Sequence, residues 1–386
     1  MSTIKAILFR SVNFFSRRRK INNEKIVVDN FFGRGFGDNP KYIVEQLLAM
    51  NSNLNIVWLV NDNADTKQFP CNVMLVKYGS LRSAYELATA HVWIDNVKNN
   101  YKGVKRKEQF YLQTWHGGMG FKKVEKAAQD SLSAEYLKDS QRDSKQTDLM
   151  ISDSQWVTDN YRENFWYSGE IKKTGLPRND IFYKGPGKIA EKVKKFYDID
   201  EQSEIILYAP TFRANMSIEE QLKVCSFNEK RLVKAFEHKF NKKFVLIKRL
   251  HPNISNFVKV NETDTVKDGS RYTDMQELLV ASFALITDFS SCAFDFMLKS
   301  DKIFLYAKDY KRFLSKERGM LFDPAHDLPF SFADSETGLL SNIENFDNKV
   351  TKHKLDAFKK SVKLIDDGKA SKRVANIILN KIRNEE

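Results

Sequence analysis

The chain has 386 residues, 42% hydrophobic and 29% charged, and this composition excludes an intrinsically disordered protein. Its formal net charge of +13 favours an anionic partner, namely nucleic acid, acidic lipid or a phosphorylated substrate. The three cysteines have no metal-ligand spacing and are an odd number, so we expect small buried side chains in a reducing compartment. No apolar run reaches the roughly 18–20 residues that cross a bilayer, and no signal peptide is evident, so we expect a protein on the cytoplasmic side.

The first twenty residues combine positive charge with apolar side chains. They contain no acidic residue and six basic ones: Lys5, Arg10, Arg17, Arg18, Arg19 and Lys20. On a helix, four apolar residues spaced by four and three would share one face: Ile4, Leu8, Val12 and Phe15. This pattern predicts a basic amphipathic helix on an anionic membrane surface, each cation contributing on the order of 1 kcal/mol. The alternative is a solvated, frayed N-terminal tail.

Strand-like and helix-like runs alternate along the rest of the chain. In the first half the strand-like runs are 25–31, 55–60, 72–76, 91–94, 109–114 and 149–152, and the helical runs are 40–50, 80–88, 131–145 and 155–166. In the second half the strand-like runs are 204–208, 244–247, 284–287 and 303–306, and the helical runs are 229–240, 274–282 and 291–298. This alternation predicts an α/β fold with two doubly wound, Rossmann-like domains, mostly parallel sheets and a central cleft.

Residues 184–187 form the densest Gly and Pro stretch of the chain and predict a linker between the two domains. Because a chain of this length suits two domains, we expect the boundaries to follow this break. The predicted segments are 1–20, 21–183, 184–368 and a basic C-terminal helix at 369–386.

Four of the strand-like runs end at a compact polar cluster. The clusters are Trp115-His116-Gly117-Gly118, Ala209-Pro210-Thr211-Phe212-Arg213, Lys248-Arg249-Leu250-His251-Pro252 and Thr287-Asp288-Phe289-Ser290-Ser291. Ligands of open α/β sheets bind outside the carboxyl ends of the strands. The clusters therefore predict one ligand site assembled from distant parts of the sequence. Their cationic, hydroxyl and imidazole groups suit a phosphorylated ligand.

The cluster that begins at Thr287 carries two hydroxyls between a strand and a helix. Ser290 or Ser291 is a suitable N-cap, and the amides beyond it would form an anion site. A plain N-cap without a ligand is the alternative. Asp288 would repel a phosphate, so it either fixes the loop or binds a ligand hydroxyl.

Three potential cations lie at the end of the strand-like run 244–247: Lys248, Arg249 and His251. Guanidinium and imidazolium groups can neutralise a diphosphate leaving group. A lone histidine at a strand end is often structural, but Arg213 at a neighbouring predicted strand end favours a phosphate site.

His116 is the candidate for acid–base chemistry, because an imidazole exchanges protons near neutral pH. Gly117 and Gly118 would allow a ligand to approach the backbone closely. The alternative is a core histidine beside a glycine turn.

The loop that follows the first predicted strand contains Gly33 and Gly35 but no third glycine in Rossmann register, so its dinucleotide fingerprint is weak. Asp38 or Asn39 capping the next helix, with Pro40 at its first position, accounts for this sequence.

Taken together, five motifs resemble the CDP-glycerol glycerophosphotransferase family of teichoic-acid primases and polymerases and their capsule-building relatives. The motifs are Trp115-His116-Gly117, residues 209–213, Leu250-His251-Pro252, residues 287–291 and Arg318-Gly319, and the likeness covers roughly residues 25–365. The resemblance implies a GT-B fold, no bound metal, no cofactor, and peripheral attachment to the cytoplasmic face of the cell membrane. The sequence departs from the family at Gly118-Met119 and after Phe322, which affects the identity of the substrates more than the reaction.

The resemblance implies transfer of glycerol phosphate from CDP-glycerol to a hydroxyl of a lipid-linked saccharide acceptor of teichoic-acid or capsule type, with release of CMP. The 21–183 domain would bind the acceptor and the 184–368 domain the donor nucleotide. The catalytic candidates are His116, His251 and Asp288. The donor-binding candidates are Thr211, Arg213, Arg249, His251, Thr287, Ser290, Ser291 and Arg318. The acceptor-side candidates are Asp38, Asn39, Trp115, Gly117 and Gly118.

Three alternatives to this function stay open. The donor could be CDP-ribitol, or the protein could be a GT-B glycosyltransferase that uses a nucleotide-sugar. A basic nucleic-acid-binding protein without catalysis is the alternative of another class. We expect no nucleic-acid partner, because the aromatic residues lie mainly inside apolar runs rather than on a basic surface.

Overall fold

The computed structural model describes residues 3–98, 103–213, 215–316 and 319–383. The strands are β1 (Asn22–Val28), β2 (Asn55–Val60), β3 (Met74–Lys77), β4 (Ala90–Asp95), β5 (Phe110–Gln113), β6 (Leu149–Ser152), β7 (Glu170–Lys173), β8 (Glu204–Ala209), β9 (Phe244–Lys248), β10 (Val266–Asp268), β11 (Ala284–Thr287), β12 (Ile303–Tyr306) and β13 (Ser331–Ala333). The α-helices are α1 (Thr3–Ser16), α2 (Asp38–Met50), α3 (Leu81–Thr89), α4 (Ala134–Gln146), α5 (Gln155–Asn164), α6 (Pro186–Tyr197), α7 (Ile218–Val224), α8 (Glu229–Phe240), α9 (Pro252–Ser255), α10 (Met275–Ala281), α11 (Cys292–Phe296), α12 (Tyr310–Lys316), α13 (Glu336–Glu344), α14 (Asn348–Ser361) and α15 (Ala370–Arg383). Short 3-10 helices cover Thr66–Gln68, Glu125–Ser131, Pro177–Tyr183 and Gly269–Arg271.

The named strands form two parallel sheets. The first has the order β3-β2-β1-β4-β5-β6-β7 and the second the order β10-β9-β8-β11-β12-β13. In the first sheet Ile26 of β1 lies opposite Ile56 of β2 and Val92 of β4. The predicted α/β fold with parallel sheets is therefore confirmed.

The chain divides into two compact units. The first consists of Met1–Gly118, Val124–Asp180 and Ile365–Glu386, and the second of Met119–Lys123 and Ile181–Leu364. The chain thus enters the second unit after Asp180 and not at residues 184–187. At that predicted linker, Gly185 is a left-handed N-cap (φ 60°) and Pro186 opens α6, so these residues begin a helix.

The first unit covers both faces of its sheet with helices. Ile26 and Val28 of β1 pack in one cluster with α2 and α15, to which Val374 and Ile378 belong. Val27 belongs to a second cluster with α1 and α3. This alternation is the two-residue period of a strand that is buried on both faces.

The C-terminal helix α15 belongs to the first unit and is fixed there by a buried carboxylate. Asp180 accepts hydrogen bonds from the backbone N–H groups of Ala370 (2.9 Å) and Ser371 (2.8 Å), which begin the helix. The sequence predicted the helix. Its attachment to the first unit depends on these hydrogen bonds between residues that are distant in the sequence.

In the second unit the apolar side chains of β8, β9, β11 and β12 pack with α8 and α13. Phe236 of α8 and Ile343 of α13 are fully buried in this cluster with Phe244 and Phe304. The core thereby fixes the four central strands, whose carboxyl ends carry three of the four polar clusters.

Helix α1 confirms the helical part of the N-terminal prediction but presents a different face. Phe9 is buried, and the side-chain amide of Asn13 donates to the Ala84 carbonyl at 3.1 Å. The sequence had predicted Val12 on the exposed apolar face. In the structure it packs against the same core instead. The exposed apolar side chains are Ile4, Ile7, Leu8, Phe14 and Phe15.

Within the part of the chain that the structure describes, no helix has the length and apolar character needed to cross a membrane. The three cysteines are free; Cys225 and Cys292 are buried, as expected, whereas Cys71 is exposed.

Candidate active site

All four polar clusters lie at the carboxyl edge of a parallel sheet. In the first sheet the strand order reverses between β1 and β4, and in the second between β8 and β11. Ligands of such sheets bind at these switch points. His116 follows β5, beside the first switch point, while the clusters at 209–213 and 287–291 flank the second directly.

The ring of His116 has a defined tautomer. Its Nδ1 lies 2.8 Å from the backbone carbonyl oxygen of Asn96. Because a carbonyl oxygen only accepts, Nδ1 carries the proton and Nε2 of the neutral ring keeps its lone pair. The Trp115 and Phe31 rings flank the imidazole at centroid distances of 4.2 and 5.2 Å. His116 can therefore accept a proton at Nε2.

The surroundings of His116 favour the neutral ring. The pKa of His116 is lowered to about 4, mainly by burial and to a smaller extent by the positive charge of Arg178, against the opposing effect of the Asn96 hydrogen bond. Arg178 Nη1 also donates to the backbone carbonyl of His116 at 2.7 Å. The imidazole is thus uncharged near neutral pH.

Trp115 directs His116 through a left-handed backbone conformation, with φ of 54°. Its N–H donates to Gln113 Oε1 at 2.9 Å, and its carbonyl accepts from Thr114 Oγ1 at 2.9 Å and from Asn39 Nδ2 at 3.2 Å. A bulky residue at positive φ is strained and persists only where its surroundings fix it. Gln113 belongs to no recognisable motif, so its role in holding Trp115 could not be predicted from the sequence.

Asp38 and Asn39 have structural roles, so the prediction that one of them caps the next helix is wrong, while their place on the acceptor side stays a prediction. Gly37 is the N-cap of α2 and the helix begins at Asp38, so neither residue caps it. Asp38 pairs with Arg178 at 3.3 Å, and Asn39 is fully buried, with its Oδ1 accepting from the Arg178 N–H at 3.2 Å.

The two glycines after His116 serve close packing. The Gly117 carbonyl accepts from Tyr161 Oη at 2.6 Å. A Cβ on Gly118 would lie 2.2 Å from Asp153 Oδ2 and 3.0 Å from Leu176 Cδ1, so a larger residue there would displace these side chains. Gly118 therefore has a structural reason, and the close approach of a ligand to these glycines stays a prediction.

In the second unit Arg213 is the centre of a buried ion-pair network, named here the Arg213 latch. Arg213 Nη1 lies 2.7 Å from Asp288 Oδ2, and its Nε and Nη2 donate to the two carboxylate oxygens of Asp309 at 2.9 and 3.0 Å. The arginine is only 2% exposed. Burial opposes the charge, but the two carboxylates outweigh it and raise the pKa of Arg213. Its charge is therefore already neutralised.

The latch bears on two sequence predictions. Arg213 is buried against two carboxylates rather than presented to solvent, and Asp288 is buried as well and also accepts from the Thr211 N–H at 2.9 Å. Asp288 thus fixes the loop, one of the two roles that the sequence left open. Asp309, the third member, was missed because it follows β12 without a recognisable motif.

The hydroxyls at the second switch point differ in exposure. Thr287 is fully buried and its hydroxyl donates to the Ala209 carbonyl at 2.6 Å, so this side chain ties β11 to β8. Ser290 and Ser291 are half-buried, and Ser290 Oγ accepts from the Cys292 N–H at 3.4 Å. Helix α11 has only five residues, so its dipole is weaker than the sequence suggested. Thr211 Oγ1 is buried without a hydrogen-bond partner among the described residues.

Arg249 brings a positive charge to the same edge, and its hydrogen bonds go to backbone carbonyls rather than to carboxylates. Its guanidinium donates to the carbonyls of Gly269 (3.1 Å), Thr273 (3.2 Å) and Tyr272. Burial lowers its pKa, while the charge of Asp274 opposes this effect. By contrast, Lys248 pairs with Glu229, so Arg249 is the better candidate for an anion.

His251 has the tautomer opposite to that of His116. Its Nδ1 accepts the backbone N–H of Asn253 at 3.2 Å, so the proton of the neutral ring is on Nε2. The ring stacks on Phe212, with centroids 5.3 Å apart and an interplanar angle of 25°. His251 is therefore oriented as a hydrogen-bond donor.

The remaining donor candidate, Arg318, lies outside the described residues. The adjacent Gly319 has a φ of 79°, and its carbonyl accepts from the Lys123 N–H at 3.0 Å. Among the described residues, no group of three or more His, Cys, Asp or Glu side chains is placed to hold a metal ion.

Comparisons with known proteins identify the family of the chain. The model of the CDP-Glycerol:Poly(glycerophosphate) glycerophosphotransferase family matches residues 11–380. A teichoic acid glycerol-phosphate transferase of Staphylococcus aureus is 27% identical over 392 residues, which cover 98% of this chain and 99% of that protein. A teichoic acid poly(glycerol phosphate) polymerase of Staphylococcus epidermidis is 26% identical, and the chain spans 52% of its length. A variant of the wall teichoic acid polymerase TagF soaked with CDPG superposes with a TM-score of 0.83 and 26% identity, covering 97% of this chain and 93% of that one.

The chain belongs to the CDP-glycerol:poly(glycerophosphate) glycerophosphotransferase family. The resemblance found in the sequence is thereby confirmed. The chain is a glycerophosphotransferase-like enzyme, and its relatives are enzymes of teichoic acid synthesis.

Proposed function

We propose that the protein transfers glycerol phosphate from CDP-glycerol to a hydroxyl of a lipid-linked acceptor and releases CMP. The acceptor oxygen attacks the phosphorus that bears glycerol, a new O–P bond forms, and the bond from that phosphorus to CMP breaks. The hydroxyl proton passes to Nε2 of His116. The donor lies at the β8/β11 edge of the second unit, and the central cleft expected from the sequence stays a prediction.

The observation that carries this proposal is the opposite tautomers of the two histidines. His116 offers a lone pair at Nε2, which a base needs, whereas His251 offers an N–H, which suits a phosphate oxygen. Each tautomer is set by a backbone group and not by a mobile side chain. Preorganised groups of this kind usually supply the largest part of catalysis.

Charge on the departing CMP is stabilised by Arg249 and His251 in this account, with the hydroxyls of Ser290 and Ser291 as further donors. Arg249 serves this role better than Arg213, because its hydrogen bonds go to backbone carbonyls, whereas Arg213 is paired directly with carboxylates. A guanidinium at a site shielded from water stabilises a phosphate more strongly than it does in water.

Peripheral attachment to an anionic membrane, at the cytoplasmic face, is part of the proposal. Five apolar side chains of α1 are 47–70% exposed: Ile4, Ile7, Leu8, Phe14 and Phe15. The basic run 17–20 follows directly, and Arg17 and Arg18 line a cavity of about 470 Å³ with Arg106 and Lys107. Apolar insertion combined with attraction to acidic lipid holds such helices in the membrane interface. This arrangement would bring the enzyme to a lipid-linked acceptor.

A donor panel tests the proposed function. CDP-glycerol, CDP-ribitol and UDP-sugars are incubated with the full chain and acceptor-loaded membranes, and release of CMP or UDP is measured. We expect CMP from CDP-glycerol, and no transfer by His116→Asn, although calorimetry still detects CDP-glycerol binding. Release of UDP, or salt-sensitive nucleic-acid binding without turnover of any donor, would overturn the proposal.

A further inference from the structure

The loop after β1, residues 29–37, has an unusual backbone and is named here the Phe31 loop. Phe31 and Phe32 both adopt left-handed conformations, with φ of 47° and 61°, and Gly33 follows at 81°. For bulky residues such conformations are strained and persist only where surrounding contacts fix them. Strain of this kind clusters at functional sites, and this loop lies at the switch point of the first sheet.

Side-chain amides and a carboxylate hold this conformation. The Phe31 N–H donates to Asn96 Oδ1 at 2.9 Å, and Asn96 Nδ2 donates to Asn30 Oδ1 at 2.8 Å. Asn30 Nδ2 donates in turn to the Gly35 carbonyl at 2.9 Å, and the Gly33 N–H donates to Asp29 at 2.8 Å. The loop is therefore rigid before any ligand binds.

Asn96 connects this loop to the base. Its side chain fixes the Phe31 backbone, while its own carbonyl accepts the Nδ1 proton of His116. The half-buried Phe31 ring lies 5.2 Å from the imidazole, so an aromatic wall stands beside the proton-accepting group. A single buried residue, Asn96, thus positions both the Phe31 backbone and the His116 ring.

We propose that Phe31 forms a wall of the acceptor site and that Asn96 is the positioning residue that holds it beside His116. This proposal rests on the proposed function and specifies the kind of acceptor surface that the site binds. The acceptor presents a C–H-rich face of a saccharide or polyol to the Phe31 ring, and the adjacent hydroxyl points to Nε2 of His116. Tight packing against the ring holds the hydroxyl in the attacking geometry.

Kinetics of Phe31 variants test the wall. Phe31→Ala should lower kcat/KM for the acceptor about tenfold and leave the Kd for CDP-glycerol unchanged, because the proposal places the ring against the acceptor and not against the donor. Phe31→Tyr keeps the ring and should retain the wild-type rate, and Phe31→Leu keeps apolar volume if the alanine variant folds poorly. Phe32→Ala is the matched control: it removes a neighbouring ring of the same loop that is 40% exposed and contacts Tyr78.

Two results would overturn the wall. One is an unchanged kcat/KM for the acceptor in Phe31→Ala and Phe31→Leu, and the other is an equal loss in Phe32→Ala. A wild-type enzyme that turns over no CDP-glycerol would instead contradict the proposed function itself, so the two failures are distinguishable.

Asn96 variants test the positioning role. Asn96→Ala should lower kcat and raise the acceptor KM, without changing the Kd for CDP-glycerol. Asn96→Asp keeps an acceptor for the Phe31 N–H and should recover part of the loss. A uniform fall in thermal stability with no change in acceptor KM or kcat of the folded enzyme, in either variant, would reduce Asn96 to a structural residue and overturn its assignment.

Discussion

The tautomers of His116 and His251 are set by different backbone partners of Nδ1. The partner is a carbonyl for His116 and an N–H for His251. The two rings therefore present opposite chemistry from the same atom, Nε2. Their sequence context, a histidine after a strand, is the same. Only the hydrogen bond at Nδ1 distinguishes a base from a donor.

The pKa of His116, lowered to about 4, has a consequence for stability. Unfolded His116 binds a proton below its ordinary pKa of about 6.5, whereas the folded ring stays neutral down to about 4. Stability conferred by the neutral ring is thus lost as the pH falls from about 6.5 to 4. The difference in unfolding free energy between wild type and His116→Gln should therefore shift against the wild type across this range. Urea titrations at several pH values measure it, and a difference independent of pH would contradict the lowered pKa.

The His251→Asn variant distinguishes the role of Nδ1 from the role of Nε2 in this histidine. Asparagine can still accept the Asn253 N–H, as an N-cap does, but it lacks the donor that Nε2 supplies. We expect His251→Asn and His251→Ala both to reduce CMP release on the order of a hundredfold. Only His251→Ala should also lower the melting temperature. A near-wild-type rate for His251→Asn would remove His251 from the donor site.

At the scale of elements, the Arg213 latch ties three neighbouring strand ends together. Arg213 follows β8, Asp288 follows β11 and Asp309 follows β12. The loops of the second switch point thus depend on a buried charge network. Their rigidity supports the half-buried serines and Thr211, which are the remaining candidates for donor contacts there.

Breaking the latch should cost stability. Arg213→Met leaves two buried carboxylates without their partner and should lower the free energy of unfolding by about 3–5 kcal/mol. Lys248→Met is the matched control, because the Lys248–Glu229 pair is more exposed, at 21% and 31%, and such a pair contributes about 1 kcal/mol or less. Urea unfolding measures both. Wild-type stability of Arg213→Met together with lost CDP-glycerol affinity would restore the sequence-based role of Arg213 as a donor ligand.

The sequence located the polar strand ends but did not predict which of their side chains are buried and paired with one another. Hydrophobic runs locate β8 and β11, and the polar residues after them are evident from the sequence. Asp309, however, lies 96 residues from Arg213, and nothing local marks the pair. The edge strands β7 and β10 were missed because they are short and carry mostly polar residues. Pro186 was interpreted as a linker because Gly and Pro begin helices as well as loops.

At the scale of the whole molecule, α1 joins a buried face to an exposed one. Phe9 and Asn13 attach it to the first unit, so deletion of residues 1–20 would uncover the core rather than only remove an anchor. The membrane role is better tested by changing the exposed face alone.

Replacing Ile7, Phe14 and Phe15 by serine removes exposed apolar surface but leaves Phe9 in place. We expect the triple variant to lose co-sedimentation with anionic vesicles and to keep its melting temperature, because the helix still packs on α3. Wild-type binding should fall with rising salt without vanishing, since apolar insertion is insensitive to screening. Undiminished pelleting of the triple variant would mean that another surface contacts the membrane.

The most direct test of the proposed reaction is the mass of the acceptor. A lipid-linked acceptor is incubated with the full chain and CDP-glycerol, and mass spectrometry of the lipid is compared with the amount of CMP released. We expect the acceptor to gain glycerol phosphate in an amount equal to the CMP, and to gain none with His116→Asn. CMP release with an unchanged acceptor, or a gain that corresponds to ribitol phosphate or a sugar, would contradict it.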